Sequence, residues 1–169
     1  MLNNLLNTYK NTIFAKDCII KEVSMKEERK FLNENCIDGY SRSNVCYGLY
    51  DKDILVSLIT IKKYNDNIKV IRLCNSLYTN VINSYETLLK YIKNKYNLNK
   101  VTLYANRRFN DKKLYKSLGF ILKGNTEPDY YYINDNKRYS KYSHVNKKDT
   151  NRIYDCGEVI YELADDKEK

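Results

Sequence analysis

Tryptophan is absent from this sequence, and proline and histidine occur once each. The lone His144 and five dispersed cysteines without a CxxC pair leave no zinc-site pattern, so no metal is expected. An odd, scattered set of cysteines fits reduced thiols and a cytoplasmic setting. Cys18, Cys46 and Cys74 lie in apolar strand patterns and read as core. No apolar run nears the ~20 residues of a membrane span. The opening MLNNLLNTYKNTIF lacks the basic-then-apolar order of a secretory signal. No membrane partner is expected. Neither a Gly/Pro/Ser-rich linker nor an internal repeat interrupts the 169 residues, a length suited to one core. The expected organisation is a leader over 1–12 and one domain over 13–169.

What the chain does contain is apolar and basic. A hydrophobic fraction of 43% is that of a globular protein and argues against wholesale disorder. The net charge of +9 favours polyanionic partners such as nucleic acid. Eighteen tyrosines, with abundant Lys, Asn and Ile, match an AT-rich codon bias, which accounts for part of both the tyrosine count and the basicity.

Local patterns order the elements. DCIIKEV (17–23) reads as a strand. Ser24 and Glu27 form a capping box opening a helix that Gly39 ends. VCYGLYD (45–51) and ILVSLITIKKY (54–64) flank a two-residue link, a hairpin signal, and KVIRLCNSLY (69–78) adds a third strand to an antiparallel meander. Tyr85, Leu88, Leu89, Ile92 and Tyr96 make one apolar helical stripe, capped by Asn83 or Ser84. KVTLYA (100–105) is a buried strand. DKKLYKSL (111–118) is a short helix capped by Asp111 and stopped by Gly119. FILKG (120–124), YYYI (130–133) and VIYEL (159–163) supply further strands.

This β-α-β-β-β-α-β-α-β order resembles the GNAT acyltransferase fold, and LYKSLGF (114–120) is similar to the LYxxxGF signature of its last helix. A wider resemblance runs from about Ile13 through CIIKEVSMKEERKFLNENCIDGY, VIRLCNSLYTNVINSYETLLKYI, TLYANRRFNDKKLYKSLGF, NTEPDYYYI, NKRYSKY and RIYDCGEVIYEL. These blocks resemble a GNAT-like domain of phage proteins, the type fused C-terminally to homing-type endonucleases. The resemblance implies an α/β (α+β) fold, one GNAT-like domain with a mixed, mostly antiparallel sheet flanked by helices. It further implies a protein of a bacterial cell infected by, or carrying, a phage, with DNA favoured over RNA as partner and a host protein as a further candidate. The topology also resembles GNAT enzymes that modify adenine in phage DNA. Two function classes stay open. One is an acyltransferase or base-modifying enzyme acting on or near nucleic acid. The other is a non-catalytic module on a degenerate GNAT fold, binding nucleic acid or inhibiting a host defence protein.

Site candidates follow from the resemblance and from the residues. Tyr115, the signature tyrosine, corresponds to the residue that protonates the departing thiolate of an acyl-CoA; packing is its other reading. GNAT enzymes hold the CoA pyrophosphate on backbone N–H groups at a glycine-bearing turn before a helix. Here that turn holds Asn83, Ser84 and Tyr85, with no glycine from Tyr78 to Tyr96. Asn83 and Ser84 are therefore the candidate cofactor contacts for acetyl-CoA or a related acyl-CoA, and the missing glycines count against ordinary acetyl-CoA use. Cys36 stands where the phage domain often has histidine; it is either helix-end core or a nucleophile if its pKa is lowered. Asp38, in the turn beside it, is a polar or basic site candidate. Asn106, Arg107 and Arg108 sit where a strand hands over to a helix, a place for an anion or a plain solvated loop, with Asp38 the expected partner of an arginine. DNKRYSKYSHVNKK (135–148) reads as a basic loop in which Lys137, Arg138 and Lys141 would contact phosphates while tyrosines stack on bases, or as solvated surface.

Overall fold

The computed structural model describes residues 9–65, 67–97, 100–134, 137–142 and 151–164. His144, Lys147 and Lys148 of the basic stretch, and most of the expected leader, lie outside the described residues. Seven strands form one mixed, mostly antiparallel sheet, and the chain divides into two compact units.

The first unit comprises Met1–Leu103 with Leu163–Lys169. It contains β1 (Asn11–Phe14), a 3-10 turn (Ala15–Asp17), β2 (Ile19–Glu22), α1 (Met25–Asn35), β3 (Val45–Asp51), β4 (Ile54–Tyr64), β5 (Asn67–Asn75), β6 (Thr79–Ile82), α2 (Ser84–Tyr96) and the start of β7 (Lys100–Asn106). The Ser24 hydroxyl accepts from the Glu27 N–H at 3.3 Å, so the expected cap of α1 is in place. Lys52 and Asp53 both take positive φ, 46° and 68°, as a two-residue hairpin turn demands even without glycine. β2 to β5 are antiparallel neighbours in sequence order. Leu88, Leu89 and Ile92 of the α2 stripe are buried, each contributing about 1.5–3 kcal/mol.

α2 carries the chain from β5 to the parallel strand β7. Their pairing runs from Asn67↔Lys100 to Val70↔Leu103, while β5 continues to Asn75. The strand expected over 69–78 therefore ends earlier, because Tyr78 turns left-handed at φ 60° just before β6 begins at Thr79. β6 pairs in parallel with β1, which takes in Asn11 and Thr12 from the expected leader. Neither four-residue strand alternates clearly, so only their pairing marks them.

The second unit, Tyr104–Glu162, holds the rest of β7, a 3-10 turn (Arg107–Phe109), α3 (Lys112–Ser117), β8 (Ile121–Asn125), β9 (Tyr130–Asn134), β10 (Lys137–Ser140), β11 (Asn151–Tyr154) and most of β12 (Glu158–Ala164). β8 and β12 are antiparallel. β9 is the middle strand of a separate three-stranded antiparallel sheet, with β10 and β11 on its sides. The expected basic loop is thus in part a strand. Tyr139 lies opposite Tyr132 and Arg138 opposite Ile133, cross-strand neighbours that a charge run conceals.

Candidate functional site

The expected site residues divide between the units. Cys36, Asp38, Asn83 and Ser84 belong to the first; Asn106, Arg107, Arg108, Tyr115, Lys137, Arg138 and Lys141 belong to the second.

At the strand-to-helix corner, Asn106 caps the 3-10 turn, its Oδ1 accepting from the Arg108 N–H at 3.0 Å. The Arg107 N–H donates to the Gly157 carbonyl at 3.2 Å, which fixes the backbone. Both arginines are exposed, and among the described residues neither guanidinium has a hydrogen-bond or ion-pair partner. Asp111 Oδ1 accepts from the N–H groups of Lys113 and Leu114 at 3.1 and 3.0 Å, so the residues that start α3 are those expected. Tyr115 is half-buried on α3, its ring 4.8 Å from that of Tyr161 and 6.4 Å from that of Phe120. Tyr161 in turn donates its hydroxyl proton to Asn110 at 3.0 Å. Packing locks the signature tyrosine in place, which serves either of its two readings.

Cys36 is the C-cap of α1 and Asp38 lies in the turn beyond. The guanidinium that reaches this turn is Arg72 of β5, a residue the sequence alone did not single out. It donates to the carbonyls of Gly39 at 3.1 Å and Asp38 at 3.4 Å, and to its neighbour Ile71 at 2.8 Å. The Asp38 backbone, rather than its exposed carboxylate, is thus the group an arginine holds. The neighbouring Cys74 thiol, helped by an Asp38 backbone contact and the Arg72 charge, brings the Cys36 thiol down to about 7 against the opposing effect of burial. No histidine is involved. The signal available was Arg72 and Cys74 at alternate positions of one strand, side chains on one face of the pleat.

At the start of α2, Asn83 takes the left-handed conformation a glycine would supply, with φ 60° and ψ 22°. Its side chain makes no cap bond, contrary to expectation. Ser84 does not cap either, because its buried hydroxyl donates to Asn75 Oδ1 at 3.0 Å. Tyr85 and Glu86 complete the first turn, and no lysine or arginine stands between Ser76 and Leu89. The Glu86 carboxylate already complements the positive helix end and would repel an incoming phosphate. The turn has a glycine-like backbone at Asn83, while Glu86 and the lack of a nearby lysine or arginine count against a CoA pyrophosphate.

The three-stranded sheet carries cations over rings. The Arg138 guanidinium lies 4.3 Å from the Tyr131 ring centre, and that of Arg152 lies 5.1 Å from Tyr130 and 5.8 Å from Tyr132. Lys137, Arg138 and Arg152 are exposed, as is Tyr154. Lys141 is engaged elsewhere, 2.9 Å from the Asp129 carboxylate. Arg152 was not singled out in the sequence, where it is a lone cation in RIYD, outside the basic run over 135–148. Among the described residues no group of three His, Cys, Asp or Glu is placed to hold a metal, and no helix is long and apolar enough to cross a membrane.

No family model matches the chain, and no curated protein matches it either. Solved structures do. The ribosomal-protein-S18-alanine N-acetyltransferase from Escherichia coli superposes with a TM-score of 0.60 at 10% identity, over 87% of this chain and 93% of that one. An acetyltransferase from Bacillus subtilis in complex with CoA gives 0.57 at 12% identity, over 87% and 98%. A putative streptothricin acetyltransferase from Bacillus anthracis in complex with acetyl coenzyme A gives 0.55 at 11%, over 88% and 99%. At such identities the likeness is one of architecture, and the architecture of this chain is the fold of the GNAT acetyltransferases.

Proposed function

We propose that this protein binds nucleic acid, single-stranded DNA foremost, on the basic tyrosine sheet of its second unit, and that it does so on an acyltransferase fold without relying on acetyl-CoA. The observation that carries this reading is the set of guanidiniums over tyrosine rings, Arg138 on Tyr131 and Arg152 on Tyr130 and Tyr132. Exposed cations neutralise phosphates and release counterions, while the exposed ring of Tyr154 offers a face on which an unpaired base can stack without regard to sequence. Arg107 and Arg108, exposed in the same unit, add two further charges for the backbone.

The test is binding of a single-stranded oligonucleotide over a salt series. Replacing Lys137, Arg138 and Arg152 by alanine should lower the slope of log affinity against log salt by about 2, at roughly 0.7 per phosphate contact, and weaken unrelated sequences equally. A variant that binds DNA and RNA just as the parent does would reduce the sheet to solvated surface.

A second reading, acyl transfer, is favoured by the fold and by the glycine-like conformation of Asn83. In it Tyr115 is the acid, Asp38 the polar group and the corner arginines the anion holders. Titration with acetyl-CoA separates the two readings.

A further inference from the structure

The end of α1 is fastened to the end of β5 at two places, and a pair of thiols lies between them. Asn35 Oδ1 accepts from the Leu77 N–H at 2.8 Å. On the other side, Arg72 donates to the carbonyls of Asp38 and Gly39. In the helix and its loop these residues bracket Cys36; in the strand and its exit they bracket Cys74. Cys36 is itself held, its N–H on the Leu32 carbonyl at 2.9 Å and its carbonyl accepting from Gly39 at 3.0 Å. Cys74 sits in the sheet opposite Leu58, 5% exposed, in the core cluster against which half-buried Cys36 packs. The Cys74 thiol donates to the Asn75 carbonyl at 3.5 Å, and the two thiols act on each other, Cys36 brought down and Cys74 pushed up, with the Arg72 charge beside them. Cys36 itself and burial push the Cys74 thiol upward, and burial pushes Cys18 and Cys46 upward, so of these four thiols Cys36 alone is brought down.

We propose that Cys36 and Cys74 form a hydroperoxide-reactive dithiol, in which Cys36 is oxidised first and Cys74 resolves it, closing a disulfide between α1 and β5. The Cys36 thiolate attacks the distal peroxide oxygen, the O–O bond breaks, and the departing hydroxide takes a proton to become water. Cys36 is then a sulfenic acid. The Cys74 sulfur attacks the Cys36 sulfur, the S–O bond breaks, and a second water leaves with the Cys74 proton. Two thiols lose two electrons and one peroxide gains them. A dithiol such as dithiothreitol returns the pair to the reduced state by exchange. Arg72 serves as a positioning residue, holding the Cys36 turn against the strand and favouring the thiolate.

The experiment uses the intact chain and one equivalent of hydrogen peroxide, followed by blocking of residual thiols under denaturing conditions and peptide mapping without reductant. The Cys36–Cys74 linked peptide is expected as the dominant oxidised species, formed before exposed Cys156 is modified and removed by dithiothreitol. In Cys74→Ser, Cys36 should stall as a sulfenic acid that dimedone traps. Parent protein whose Cys36 and Cys74 both remain alkylatable while Cys156 oxidises would overturn the proposal. So would Cys36 passing to sulfinic acid in the parent without a linked peptide. Because both of these readings come from the parent, a poorly folded variant does not weaken the test.

Discussion

The Ser84 hydroxyl donates to Asn75 Oδ1 at 3.0 Å, joining the first residue of α2 to the last of β5. A group expected to meet a cofactor phosphate is therefore spent inside the protein, and Ser84 is 3% exposed. Glu86 then holds the helix end that an anion would need.

Acetyl-CoA should accordingly bind more weakly than about 10 μM, roughly −7 kcal/mol, in isothermal titration. Tyr85→Gly combined with Glu86→Gln should tighten it, by removing bulk and like charge from the turn. Tight binding by the parent would restore acyl transfer as the first reading.

Asp111→Ala removes an oxygen that serves two N–H groups at the start of α3. The cost expected in chemical denaturation is about 1 kcal/mol. The loss should be felt locally, as faster hydrogen exchange in the helix that carries Tyr115. An unchanged exchange pattern would mean that packing of Tyr115 on Tyr161 and Phe120 alone holds the helix.

The Lys141 ammonium, and then the Tyr130 N–H, hold the Asp129 carboxyl below its ordinary value. A carboxyl whose folded value is depressed contributes stability above its unfolded value of about 3.9 and loses that contribution as pH falls through the lower folded value. Asp129→Asn should therefore lose less stability than the parent between about pH 6 and about pH 3. Equal losses in the two proteins would show that the pair contributes nothing measurable.

Arg107→Ala and Arg108→Ala should leave stability within about 0.5 kcal/mol, since both side chains are exposed and lack partners among the described residues. Their effect should instead appear in oligonucleotide affinity and its salt dependence. Variants that match the parent in both would make the corner a connection only.

What the sequence determined by itself is local. The Ser24 cap, the Lys52-Asp53 hairpin, the α2 stripe and the Asp111 cap were legible because each is decided within a few residues, by one hydrogen bond or one repeat of the backbone. Charge and the positions of Cys36, Tyr115, Arg107 and Lys137 were legible as candidates, but not their surroundings. Tertiary structure decided those. Arg72 and Cys74 reach the Cys36 turn only because β5 lies against α1; β1 exists as a strand only because β6 runs beside it. Arg138 and Arg152 find tyrosine rings through the pairing of β9 with β10 and β11, whereas Lys141 turns to Asp129. A charged side chain in a sequence carries no record of its partner, because contact depends on register and packing between segments far apart in the chain.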